Sequence, residues 1–196
     1  MSFLIYSKYF QGVADILLRD PVRYLPFAQL LDTVMSCESD LSQAQREMTA
    51  LYSSRLNHCT YCVDSHACVL ASLGEDDILV SALANSSTEP ADDSMKAVLV
   101  FAGKLTLEPG GVRETDIEAV RSAGWSDQAI EDIIGVVATF AFLNRLVDGF
   151  GIEGTADHFS QVGGMVSQRG YTPLVQMVRK KAAIGAVQST GDQASG

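Results

Sequence analysis

The sequence predicts an all-α fold, and three features carry that expectation. Apolar residues recur at helical intervals, as in Val13, Ile16 and Leu17 and again in Leu30, Leu31 and Val34. Helix-start signals precede several apolar runs, among them Asp20-Pro21, Ser126 and Thr172-Pro173. No run of alternating β-branched residues asks for a sheet, and no internal repeat stands out.

Taken in order, the opening to about Met35 should form two short helices. Asp20-Pro21 is a cap followed by a first-turn proline, and Pro26 should end, kink or restart the helix it meets. A helix from about Leu41 to Leu56 follows the polar turn at Ser36 to Asp40. At about 100° per residue, Leu41, Ala44, Met48, Leu51, Tyr52 and Leu56 share one face, with Glu47 at its edge. A short break at Asn57 to Thr60 leads to a helix ending at Leu73 before Gly74, so the two helices should form an antiparallel hairpin. Glu75 to Ala84 is a further short helix, and the polar stretch Asn85 to Ser94 reads as a linker. Beyond it, a helix from about Asp93 to Leu107 stops at Pro109-Gly110-Gly111. Thr115 and Glu118 are spaced as a capping box for a helix closed by Gly124, and Trp125 with Ile130 as a hydrophobic staple around Ser126. The longest helix, about Asp127 to Asp148, is apolar nearly all round between Ile133 and Leu143, which marks a central buried helix or an interface. Asn144-Arg145 ends that run and is expected to be structural. Helical signals weaken after Gly154.

At 196 residues and 47% hydrophobic content the chain can bury a full core, here expected as one helical domain over 1–185 with a disordered tail over 186–196. The N-terminus lacks the pattern of a signal peptide, and the apolar run from Ile133 to Leu143 is shorter than the ~20 residues that span a bilayer. A cytoplasmic protein with no membrane partner is therefore expected. A net charge of -10 argues against nucleic acid, and Arg179-Lys180-Lys181 reads as a solvated helix end.

The chemistry gathers between Glu47 and His66. Cys59 and Cys62 form a CxxC, which in a reducing compartment is more often catalytic or metal-binding than structural. Cys37 and Cys68 lack such spacing and are taken as packing residues. A helix N-terminus or a nearby histidine lowers a thiol's pKa and so raises the population of attacking thiolate. Were Asn57 the cap, Cys59 would occupy the first turn; were Thr60 the cap, Cys62 would. Spacing alone does not choose. His66 follows Cys62 by one helical turn and offers an acid/base group near neutral pH, which Glu47 could orient. Zinc on Cys59, Cys62 and His66, with His58 or Glu47, is the chemical competitor. A structural site usually draws ligand pairs from two segments, and no second pair exists; His158 is isolated in the sequence. Neither metal nor cofactor is expected.

Glu47, Cys59, Cys62 and His66, at these spacings, resemble the signature of alkylhydroperoxidase D-like proteins within the carboxymuconolactone decarboxylase superfamily. The stretch from Gly124 to Phe140, followed by Asn144-Arg-Leu-Val-Asp-Gly149, resembles the peroxidase-related branch. The similarity covers most of residues 10 to 180. It implies an all-helical bundle assembled as a homo-oligomer, a trimer or hexamer, that reduces hydroperoxides through its thiols. By position, Cys62 would be the peroxidatic nucleophile and Cys59 the resolving cysteine, with Glu47 and His66 as proton relay. An external dithiol, lipoyl-bearing or thioredoxin-like, would restore the dithiol. The best-studied members carry histidine where this chain has Tyr61, a place that His58 might fill in part. The alternatives are a decarboxylase acting on a small lactone acid and a redox-sensing oligomer without turnover.

Overall fold

The long apolar helix is the axis of the molecule. In the computed structural model, which describes residues 2–193 and their side chains as far as 184, the chain folds into ten α-helices with no strand among the described residues. They are α1 (Val13–Arg19), α2 (Pro21–Ser36), α3 (Gln43–Leu56), α4 (Thr60–Leu73), α5 (Asp77–Ala84), α6 (Asp93–Leu107), α7 (Glu114–Ser122), α8 (Asp127–Phe150), α9 (Ala156–Arg169) and α10 (Thr172–Gln193). Helix α8 has the length and composition to cross a membrane, but it serves as the core helix here. It sends Ala129, Ile130, Ile133 and Val137 into one apolar cluster with α3, α5 and α6, and Val136, Phe140, Leu143 and Val147 into a second with α1, α2, α9 and α10. Its remaining face leaves Ile134 and Phe142 exposed.

The helix boundaries follow local chemistry, with three departures from expectation. Asp20 caps α2, accepting from the Arg23 N–H, with Pro21 in the first turn. Pro26 does not break that helix, which runs on to Ser36. The carbonyl that its missing N–H would have reached belongs to Val22, which is 72% exposed, so solvent can satisfy it. Helix α7 starts two residues earlier than the Thr115–Glu118 box would place it. Asp116 closes the box on the Arg113 N–H, and Glu118 pairs with Arg121 instead. Thr172 is the first residue of α10, not its cap, and its hydroxyl donates to Asp32. Ser126 caps α8 as expected, and Trp125 packs beside the cluster holding Ile130 while its indole N–H donates to the Ser94 carbonyl. The backbone of α10 continues to Gln193; the rest of the expected tail, like all side chains beyond 184, lies outside the described residues.

Two packings position the site. Helix α3 lies against α4, α6 and α8, and α4 lies against α9. The second approach is close: a Cβ on Gly163 would stand 2.6 Å from the Cys68 carbonyl oxygen, so only glycine lets α9 reach the α4 backbone.

Candidate active site

The CxxC sits where one helix ends and the next begins. Helix α3 closes with a Schellman motif: the His58 N–H donates to the Arg55 carbonyl and the Cys59 N–H to the Ser54 carbonyl. His58 takes the left-handed conformation this motif needs, at φ 63°, a place glycine usually fills. Cys59 is then the residue that caps α4, so neither Asn57 nor Thr60 holds that position. Cys62 consequently lies in the first turn of α4, near the positive end of the helix dipole.

Asn144 locks this turn from behind. Its side-chain oxygen accepts from Asn57 Nδ2 at 2.9 Å, and its Nδ2 donates to Ser54 Oγ at 3.0 Å. Asn144 and Ser54 are both buried, and the structural role expected of Asn144 is what these bonds describe.

Both thiols are free and buried. The Cys59 thiol is pushed far above its ordinary range, first by a side-chain hydrogen bond with Cys62, then by burial and by negative charge on Cys62. Cys59 is thus held protonated.

Glu47 lies deeper than the border position its helical phase suggested. It is 0% exposed, and Oε2 accepts from His66 Nδ1 at 2.6 Å while Oε1 accepts from the Tyr171 hydroxyl at 3.0 Å. The bond to the carboxylate fixes the proton on Nδ1 and leaves Nε2 as the basic nitrogen. Phe140 meets the His66 ring edge to face at 4.5 Å between centroids. Burial, followed by the charge and hydrogen bond of Glu47, drives the Tyr171 hydroxyl well above its ordinary pKa, so it stays a donor.

Tyr61 and His158 form a pair that the sequence did not disclose. His158, remote in the chain and set aside as isolated, is carried by α9 to within 2.9 Å of the Tyr61 hydroxyl through Nε2. The same oxygen accepts from the Val13 N–H at 3.3 Å. Burial lowers the His158 pKa, with Asp15 opposing, and burial raises that of Tyr61, with the Val13 N–H opposing. The sequence signal that could have found the pair is the break in pattern at Tyr61, a large polar residue between two cysteines. His58, by contrast, is exposed outside the cavity.

Cys62, His66, Tyr61, His158 and Tyr171 open onto one cavity of about 90 Å³. Its other walls are mainly apolar, including Leu31, Leu143, Met165 and Leu174. The site therefore brings together all four residues singled out from the sequence, with Cys59 just behind the wall and Glu47 acting through His66. Among the described residues no group of three or more His, Cys, Asp or Glu side chains is arranged to hold a metal ion.

Comparison with known proteins agrees with the all-helical fold. Residues 24–102, which include α3, α4 and the CxxC, match the carboxymuconolactone decarboxylase family. The fold is similar to an uncharacterized peroxidase-related protein from Silicibacter sp. TM1040, at TM-score 0.70 and 29% identity over 76% of this chain and 79% of that one. It is also similar to the alkylhydroperoxidase AhpD core protein, an uncharacterized peroxidase-related protein from Ralstonia eutropha JMP134, at TM-score 0.68 and 27% identity over 76% and 78% of the two chains. The debrominase Bmp8, solved with 2,3,4-tribromopyrrole, shares the fold at TM-score 0.62 and 18% identity over 74% and 76%. No curated protein matches the chain in sequence. The matched segment, the all-helical fold and the peroxidase-related structural neighbours together support a carboxymuconolactone decarboxylase superfamily protein of the alkylhydroperoxidase D-like kind.

Proposed function

We propose that this protein is a thiol peroxidase that reduces hydroperoxides through a dithiol/disulfide cycle. The observation that carries the reading is the buried Glu47–His66 pair, set one helical turn from Cys62 on the wall of an apolar cavity. Cys62 attacks the terminal peroxide oxygen, its proton having passed to His66 Nε2. The S–O bond forms, the O–O bond breaks, and Cys62 becomes a sulfenic acid. Cys59 then attacks the Cys62 sulfur, forming a disulfide and releasing water. An external dithiol, lipoyl-bearing or thioredoxin-like, reopens the disulfide by exchange. No cofactor enters the cycle. We place it in a reducing cytoplasm, in a homo-oligomer of three or six copies as the family resemblance implies, which light scattering would test.

The decarboxylase alternative is disfavoured by the cavity itself. Among the described residues no lysine or arginine lines it to receive the carboxylate of a lactone acid.

Intact-mass analysis after one equivalent of hydroperoxide tests the cycle. The wild type should form an intramolecular disulfide, Cys59→Ser should trap a sulfenic acid, and Cys62→Ser should oxidise slowly. Equal reactivity of the two single variants refutes the roles. Oxidation without steady-state peroxide consumption in the presence of a dithiol reductant supports the redox-sensing alternative instead.

A further inference from the structure

We infer that Tyr61, held in place by His158, is the acid that protonates the departing oxygen of the peroxide; this rests on the peroxidase reading above. Displacement at a peroxide oxygen is in line, so the leaving oxygen departs on the side opposite the attacking sulfur. His66, one turn beyond Cys62 on α4 and bound through Nδ1 to Glu47 of α3, has its one free nitrogen committed to the thiol proton in that reading. A departing alkoxide, a strong base, needs a second donor across the cavity.

Tyr61 meets that need. Its ring starts beside Cys62 on α4, and its hydroxyl reaches away to where α9 supplies His158 and the start of α1 supplies the Val13 N–H. Tyr61, His158 and Cys62 all line the same cavity. With the proton of His158 on Nε2, the imidazole and Val13 fill both lone pairs of the phenol oxygen, which leaves the O–H directed to a third partner. The chain is shaped around the pair: a Cβ on Gly12 would stand 2.5 Å from His158 Nε2 and 2.6 Å from the Tyr61 oxygen. Gly12 thus lets the backbone cross directly over the pair. In the resting protein burial keeps the proton on Tyr61, with the Val13 N–H opposing.

The step balances as follows. Cys62 thiolate gives two electrons to the peroxide; S–O forms, O–O breaks, and the alkoxide takes the Tyr61 proton to leave as an alcohol. The phenolate, held by the Val13 N–H and the His158 Nε2–H, regains its proton from solvent while Cys59 gives up its own. Cys59 thiolate attacks the sulfenic sulfur, S–S forms, and the hydroxide released takes the proton stored on His66 to become water. Tyr61 is catalytic in this scheme, and His158 is a positioning residue.

The experiment compares two oxidants of Cys62 by stopped flow. tert-Butyl hydroperoxide expels an alkoxide that needs a proton, whereas peracetic acid expels acetate, which does not. Tyr61→Phe should slow oxidation by the hydroperoxide about 100-fold, the scale of general-acid catalysis, and leave the peracid rate nearly unchanged. His158→Gln, which keeps an N–H donor, should show a smaller loss with the same selectivity, and His158→Ala a larger one. Equal losses with both oxidants would reduce Tyr61 to a structural residue, and unchanged hydroperoxide rates in both Tyr61→Phe and His158→Ala would remove it altogether. If wild-type Cys62 resists the hydroperoxide yet reacts with iodoacetamide, it is the peroxidase reading that falls, and the proposal with it.

Discussion

Replacing Glu47 by glutamine separates what this buried carboxylate does for chemistry from what it does for stability. Glu47 is 0% exposed and accepts from two donors, His66 Nδ1 at 2.6 Å and the Tyr171 hydroxyl at 3.0 Å. A glutamine side chain fits the same space. Its single oxygen can keep the Tyr171 bond, which turns its NH₂ toward His66. Nδ1 must then accept, and the ring proton moves to Nε2. The imidazole so rearranged cannot take the Cys62 proton, and loss of a general base costs about 10²- to 10⁴-fold in rate. Both neighbours remain hydrogen-bonded, and exchanging charge-assisted bonds for neutral ones costs roughly 1–2 kcal/mol. Glu47→Ala instead strands two buried donors, at about 1–3 kcal/mol each, beyond the packing lost. For a chain of this size each kcal/mol lowers the melting temperature by about 2–4 °C, so the alanine variant should melt roughly 5–20 °C below wild type. The assay pairs thermal melts with the rate of Cys62 oxidation at neutral pH. A glutamine variant that melts slightly early and reacts at the wild-type rate would refute the tautomer argument, as would an alanine variant as stable as the glutamine one.

Other perturbations probe the frame around the site. His58 sits at φ 63°, so His58→Gly should raise stability by about 1 kcal/mol in urea denaturation, with Cys62 reactivity unchanged. Asn144→Ala removes the partners of Asn57 and of buried Ser54, and should cost about 2–3 kcal/mol while loosening the turn that carries Cys59, read as a fall in the denaturation midpoint and in disulfide formation rate. Gly163→Ala puts a Cβ 2.6 Å from the Cys68 carbonyl oxygen and should cost about 1–3 kcal/mol, whereas Gly164→Ala meets nothing within 4 Å and should be neutral or slightly stabilising; calorimetry of the two distinguishes crowding from helix propensity. The last concerns pH. The native His158 pKa is depressed by burial, so below the ordinary value of 6.5 the unfolded chain binds a proton that the folded one does not. Stability contributed by the neutral ring is full above 6.5 and is lost as pH falls through the depressed native value; His158→Gln should flatten that part of the urea-midpoint profile.

Much of the frame could be read from residue patterns because its causes are local. Asp20-Pro21 and Ser126 start helices through bonds to residues three positions on, and those bonds form. Where two local signals competed, pattern misjudged the outcome. Pro26 was tolerated because the carbonyl it orphans faces the exposed side of α2, and Asp116 outcompeted the Thr115–Glu118 box at the start of α7. Glu47 and His66 could be singled out by type and spacing, but whether a carboxylate at the edge of α3 turns inward depends on how α3 and α4 pack.

The sequence by itself determined the all-helical architecture and the cluster Glu47, Cys59, Cys62 and His66, since helical period and a CxxC are written within short windows. The tertiary structure decided three things that spacing left open. The Schellman turn at His58 made Cys59 the cap and put Cys62 in the first turn of α4. The close α4–α9 approach that Gly163 permits joined His158 to Tyr61 across 97 residues. Tyr171, at the head of α10, became the second partner of Glu47. The first is a local backbone turn that Asn144 holds from 87 residues away, and the other two are long-range meetings of side chains, fixed by which helix faces share a core.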